Sequence, residues 1–233
     1  MMCSSSSWSW YTFPADGNVG QKTDNHPECW IINFDTWYDP LEISRVLSQE
    51  EKFRAERFST ETLVRCFSVA HWGLRILLAR WMSCKPHTIS LHTGRWGKPY
   101  VPGGPFFNLS HTGSVAIVAL SSFGEVGVDV EDVRPFPGRK DVAKQFFSSR
   151  ECRWIGDGEN SVRRFFRCWV LREAFVKATG MGLVLPLESF GLDLPLTSEN
   201  VSIQTVDGRS FSVRMLEWEP SSDTAAAIVE LGV

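Results

Sequence analysis

The stretch Gly127-Val128-Asp129-Val130-Glu131 constrains this chain more than any other. Two carboxylates sit one residue apart among Val126, Val128, Val130 and Val133, a β-branched run that reads as a strand. Side chains alternate faces along a strand, so Asp129 and Glu131 leave on one face and Val128 and Val130 on the other. Two acids on one face repel each other, and buried acids need partners or a metal. Two readings are therefore open: an exposed edge strand with a solvated acidic face, or two oxygen ligands for a hard divalent cation with a third still to be found.

A length of 233 residues suits one large domain or two small ones, either able to bury a core. With 43% apolar and 22% charged residues the composition is that of a soluble globular protein, and a net charge of −3 gives no support for a nucleic-acid partner. The ten tryptophans fall largely at core-like positions, so packing explains them. Cys3, Cys29, Cys66, Cys84, Cys152 and Cys168 show neither a C-x-x-C pair nor zinc spacing, so reduced thiols are expected. Residues 1–28 lack the basic and apolar regions of a secretory signal, and no apolar run approaches a membrane span. The expectation is a cytoplasmic protein with no membrane or nucleic-acid partner.

In chain order, residues 1–28 are polar and aperiodic and are expected to form a loose tail, with Trp8, Trp10, Tyr11 and Phe13 available to dock on the body. Cys29 to Phe34 reads as a strand. Ser48 and Glu51 form a capping box opening a short helix, and Leu63, Phe67, Ala70, Leu74, Leu77, Leu78 and Trp81 mark a long one. Strands are expected at Ile89 to Leu91, Phe106 to Leu109 and Val115 to Leu120, with Ser110-His111-Thr112-Gly113 as a turn. The second half repeats the plan. It has the acidic strand, a capping box at Ser148 to Glu151 and a long helix over 161–179 ended by Gly180. Strands follow at Ser189 to Leu194, Val201 to Val206, Phe211 to Trp218 and Ala225 to Leu231, with Asp207-Gly208 as a hairpin turn. This gives an α+β chain of two similar subdomains, 29–122 and 123–233, each a small antiparallel sheet on a long helix.

Three further features ask for chemistry. Glu173 falls in the apolar stripe of the second long helix, four residues after Trp169, and is either an i,i+4 partner of Lys177 or the third oxygen ligand beside Asp129 and Glu131. Phe107-Asn108-Leu109-Ser110-His111-Thr112-Gly113 gathers hydroxyl, imidazole and backbone donors suited to phosphate, or simply exposes a turn histidine. Lys98 in Gly97-Lys98-Pro99 reads equally as a solvated turn lysine. Walker, dinucleotide-binding and G-x-S-x-G motifs are missing, which argues against the common nucleotide folds and an α/β-hydrolase.

In this order, Gly97-Lys98-Pro99, Phe107 to Gly113, Gly127 to Glu131, Phe146-Phe147-Ser148 with Glu151, and Trp169-x-x-Arg172-Glu173-Ala174-Phe175-x-Lys177 resemble the 4'-phosphopantetheinyl transferases of the surfactin-synthetase-activating (Sfp) type. The resemblance spans roughly residues 48 to 185. It implies a pseudo-two-fold monomer with coenzyme A and Mg²⁺ (Mn²⁺ also suiting hard oxygen ligands) in the cleft between its halves. Asp129, Glu131 and Glu173 would hold the metal. Asn108, Ser110 and His111 would contact phosphates, and Arg54 and Lys98 would reach the phosphates and the 3'-phosphoadenosine end. Arg95, Gly97 and Pro99 would line the adenine, and Lys177 would bind the diphosphate. The implied reaction moves the phosphopantetheine arm to a serine of an apo carrier protein and releases 3',5'-ADP.

That chemistry is mainly charge neutralisation and alignment around a diphosphate, with Glu173 as the candidate base and Lys177 and His111 as its catalytic companions. Arg172 stands where many relatives have Lys, Asp132 where a basic residue is frequent, and some relatives lack the carboxylate at Glu131. A metal-dependent phosphohydrolase and a non-catalytic coenzyme A-binding or carrier-docking protein are the rival readings.

Overall fold

Residues 9–14, 16–19 and 27–232 are described by a computed structural model. They fall into two compact units. The first takes in the described residues up to His92 together with Pro99–Ser122, and the second Thr93–Lys98 together with the chain from Phe123 onward. The turn that carries Lys98 therefore belongs with the second unit, although it lies inside the first half of the sequence.

The first unit is built from β1 (Ser9–Thr12), β2 (Glu28–Asn33), α1 (Pro40–Val46), α2 (Gln49–Ala55) and α3 (Glu61–Met82). The two-residue strands β3 (His92–Thr93) and β4 (Pro99–Tyr100) flank the turn at 94–98, and β5 (Phe106–His111) and β6 (Val115–Ser121) follow. The sheet order is β1-β2-β6-β5, antiparallel except for the parallel β1–β2 pair. Its core is Trp30 and Ile32 of β2, Trp72, Leu74, Leu77 and Leu78 of α3, and Val118 and Leu120 of β6. By length and mean hydropathy alone α3 would pass for a membrane span, yet 61% of that stretch is buried within the protein, as in the core helix of a globular unit.

The second unit runs β7 (Val126–Asp132), α4 (Arg139–Phe146), α5 (Ser149–Ile155), α6 (Ser161–Thr179), β8 (Asn200–Gln204), β9 (Ser210–Trp218) and β10 (Thr224–Leu231). Its antiparallel sheet has the order β7-β10-β9-β8, and α6 packs its buried Phe175, Ala174 and Leu171 against Ala225, Ala227 and Val229 of β10. The β8–β9 turn uses Gly208 at φ 87°, as an Asp-Gly hairpin requires. The helix predicted over 161–179 is α6, residue for residue.

Several expectations are corrected. Of the stretch 1–28, residues 9–12 form β1 rather than loose chain, and the docking the sequence allowed for Tyr11 and Phe13 occurs: Tyr11 stacks on Trp30 at 4.5 Å and Phe13 is buried among Trp30, Tyr38 and Trp72. Aromatic burial overrides the polar composition there; Trp8 lies outside the described residues. The strand expected at Ile89 to Leu91 does not form, since the Pro86 and Ile89 carbonyls accept from Arg75 at 3.2 and 3.0 Å. The strand expected from Ser189 reduces to one bridge, Phe190 to Thr205, for the same reason. The carbonyls of Leu187 and Phe190 accept from Arg172 instead of joining a ladder. α1 and α4 went unpredicted. Among the described cysteines Cys29, Cys66, Cys84, Cys152 and Cys168 are all free thiols.

Candidate active site

β7 approaches α6 closely at its start because Gly127 has no side chain. A Cβ there would collide with Ala174 O and Ala178 N of α6. Alternation then puts Asp129 and Glu131 on the same sheet face as Gly127, the face that meets α6. Their cross-strand neighbours on β10 are Ala227 and Ala225, small residues that leave the carboxylates room. β7 is an edge strand, as one sequence reading had it, but its acidic face is covered: Asp129 is 4% exposed and Glu131 half-buried.

Glu173 and Lys177 look back from α6. Lys177 Nζ donates to Asp129 Oδ1 at 2.5 Å, so the lysine of the i,i+4 pair reaches across to the strand. Burial raises the Glu173 carboxyl above its ordinary value, the charge on Asp129 raises it further, and Lys177 opposes both. Glu131 is raised in the same way, by burial first and Asp129 second, against Arg134 and Lys177. Glu173 is half-buried within the influence of Asp129 and Lys177 rather than facing bulk solvent.

The donor set fits a hard divalent cation. Three carboxylates on facing elements share one nearby ammonium, and Asp129 destabilises the ionised form of both glutamates. A bound cation would relieve this. Among the described residues no three of His, Cys, Asp or Glu are gathered as a metal site, and Asp129 Oδ1 is bound by the Lys177 ammonium.

The remaining predicted residues are distributed differently from the sequence reading. Ser110 and His111 close β5 rather than forming a turn. Alternation thus sends Asn108 and Ser110, both buried, to one face and His111, edge-on to Phe34 at 6.5 Å, to the other. Arg54 is exposed on α2 with its guanidinium 5.2 Å from the Phe67 ring. Arg95 lies 4.5 Å over Trp96, Gly97 takes φ 93°, and Pro99 starts β4. Lys98 is not a solvated turn lysine. Its ammonium donates to Glu125 Oε2 at 2.6 Å, Val126 O at 2.9 Å and Ala178 O at 3.1 Å. Burial lowers its pKa, which Glu125 partly restores.

Residues the sequence reading took only as helix caps prove to be buried anchors. Glu151 of the second capping box is fully buried against Arg172, whose guanidinium also binds the carbonyls of Phe146, Leu187 and Phe190. A lysine has no planar fork to serve four acceptors at once, which accounts for arginine at this position. The signal available in the sequence was an arginine falling inside an apolar helical stripe.

Comparison with known proteins shows the family. The family model of the 4'-phosphopantetheinyl transferase superfamily matches residues 125–229, the stretch from β7 to β10. HetI, a 4'-phosphopantetheinyl transferase of Nostoc, is 31% identical over 211 residues, covering 87% of this chain and 86% of its own. The transferase Sfp of Bacillus subtilis is 32% identical over 184 residues, covering 72% of this chain and 80% of its own. A Synechocystis protein named for the same activity is 34% identical over 182 residues, or 76% of this chain and 72% of its own. The chain belongs to the 4'-phosphopantetheinyl transferase superfamily. It is a transferase of a family that moves phosphopantetheine from coenzyme A to carrier proteins.

Proposed function

We propose that this enzyme transfers the 4'-phosphopantetheine arm of coenzyme A to a serine hydroxyl of an apo carrier protein, releasing 3',5'-ADP, with Asp129, Glu131 and Glu173 holding Mg²⁺ or Mn²⁺. What supports this reading is that Asp129 and Glu131 lie on the β7 face that meets α6, where Lys177 binds Asp129 and Glu173 stands within the influence of the same acid. The cation supplies Lewis-acid stabilisation and alignment of the diphosphate when bound.

The chain's own groups do the rest. Glu173, half-buried on the α6 face that meets β7, is the group assigned to accept the serine proton. Lys177, held against Asp129, is assigned to the diphosphate and to the charge that develops on it as it departs. By resemblance, Arg54, Asn108, Ser110 and His111 of the first unit, with Arg95, Gly97 and Pro99, are assigned to coenzyme A. The protein is read as a cytoplasmic monomer.

Incubation with coenzyme A, Mg²⁺ and an apo carrier tests this directly. The carrier should gain one phosphopantetheinyl mass in step with 3',5'-ADP. Nucleotide release without a carrier would instead identify a phosphohydrolase, and tight binding with no turnover a non-catalytic coenzyme A-binding protein.

A further inference from the structure

Lys98 is held too firmly by its own unit to serve the role the resemblance gives it. An ammonium has three protons, and all three are committed, to Glu125 Oε2, Val126 O and Ala178 O. Its side chain is only 15% exposed. The stem lies against Gly180, where an added Cβ would stand 3.3 Å from Lys98 Cδ. The turn below is fixed by Gly94 N donating to Lys98 O at 2.8 Å and Gly97 N to Gly94 O at 3.0 Å.

The acceptors show what the ammonium does. Val126 opens β7 and precedes Asp129 by three residues; Ala178 follows Lys177 at the end of α6. The last turn of a helix leaves carbonyls without intrahelical partners. In α6 the Val176 carbonyl accepts from Thr179 Oγ1 at 2.8 Å, that of Lys177 from Gly180 N at 3.2 Å, and that of Ala178 from Lys98. A cation at this end is also favoured by the helix dipole. One side chain from a distant turn thus ties the start of the metal-facing strand to the end of the helix that faces it.

We propose that Lys98 is a positioning residue that clamps β7 to the C-terminal turn of α6 and so sets Lys177 and Glu173 against Asp129, without contacting coenzyme A. This rests on the functional reading above for what the positioned groups do, but the clamp has its own readout. In the full-length protein without ligands, Lys98→Met should speed amide hydrogen exchange at residues 177–180 by roughly an order of magnitude while the middle of α6 stays protected. Calorimetric titration with Mn²⁺ should show affinity lowered about tenfold or more, as when a partner behind a metal ligand is lost. The preference for coenzyme A over dephospho-coenzyme A in kcat/KM should stay within about twofold of wild type, because no phosphate contact is removed.

Exchange as slow as in wild type, or a preference collapsing toward one, would overturn the clamp and make Lys98 a reader of the 3'-phosphate. Should Lys98→Met fail to fold, Glu125→Gln keeps the lysine but weakens its shortest contact. It should give the same exchange and metal pattern at smaller size, and unchanged exchange would again overturn the clamp. A wild-type protein that neither takes up Mn²⁺ nor modifies a carrier would defeat the functional reading instead, and the exchange result would still decide the clamp.

Discussion

Arg75 and Arg80 lie five residues apart on α3, and Arg172 and Lys177 lie five apart on α6. In each unit the first of the pair binds the buried glutamate of a capping box, Glu51 or Glu151, and then takes up the carbonyls of the segment after the long helix. In each unit the second crosses to a carboxylate on the first strand of the repeated plan, Glu28 of β2 or Asp129 of β7. The sheets also match, β2-β6-β5 against β7-β10-β9. The units part company at the acid. Arg80 grips Glu28 at both oxygens, 2.6 and 2.7 Å, and Trp30 Nε1 adds a third contact at 2.9 Å. Lys177 faces Asp129 with Glu131 and Glu173 close by, and Ile76 occupies on α3 the place Glu173 has on α6. One unit neutralises its acid internally, whereas the other sets two further acids within the influence of a single lysine.

This contrast can be broken by experiment. Asp129→Asn and Glu173→Gln should each lower kcat/KM for carrier modification by about three orders of magnitude with folding retained, on the scale of losing a group that orders transition-state charge. Near-wild-type turnover in either would end the contrast. Glu28→Gln, leaving Arg80 buried without its charge partner, should instead cost about 3–4 kcal/mol in urea unfolding, and Arg172→Met a similar amount in the other unit. The transfer rate per folded Glu28→Gln molecule should be unchanged.

Acid should find the first unit's anchor. Burial alone would raise Glu51, but hydrogen bonds from His71, the Ser48 N–H and Arg75 outweigh it and hold the carboxyl at about 2 rather than 4.5. A depressed carboxyl contributes stability that is whole above its unfolded pKa and lost as pH falls toward the folded one. On the order of 3 kcal/mol should therefore disappear between about pH 5 and 2. Glu51→Gln should flatten that limb of the stability profile. The smallest effect is ligand-linked: Mg²⁺ at about a hundred times its Kd should stabilise wild type by roughly 2–3 kcal/mol by mass action. That gain should vanish in Asp129→Asn and survive in Glu28→Gln.

Much of this was legible in advance. Helix periodicity, Gly180 as a stop and the Asp-Gly turn rest on local chemistry, so α6 and the β8–β9 hairpin could be read directly. The alternation of Asp129 and Glu131 among valines likewise fixed their shared face. The two arginines escaped because their partners are carbonyls from loops many residues away, and those bonds suppressed two expected strands. The burial of Lys98 was hidden for a related reason, since a turn lysine looks solvated until Glu125, Val126 and Ala178 are brought to it. β1 was missed because polar composition conceals how much surface Tyr11 and Phe13 bury.

The bare backbone at Gly127 bears on how such an enzyme can diversify. Where strand meets helix through main-chain atoms, the gap is a fixed gauge that drift among neighbouring Phe, Leu or Val residues leaves unaltered. Even a single methyl there would act as a wedge, prising apart the two supports of the acids. Loops and outer surfaces can be remodelled without touching the contact that spaces β7 from α6.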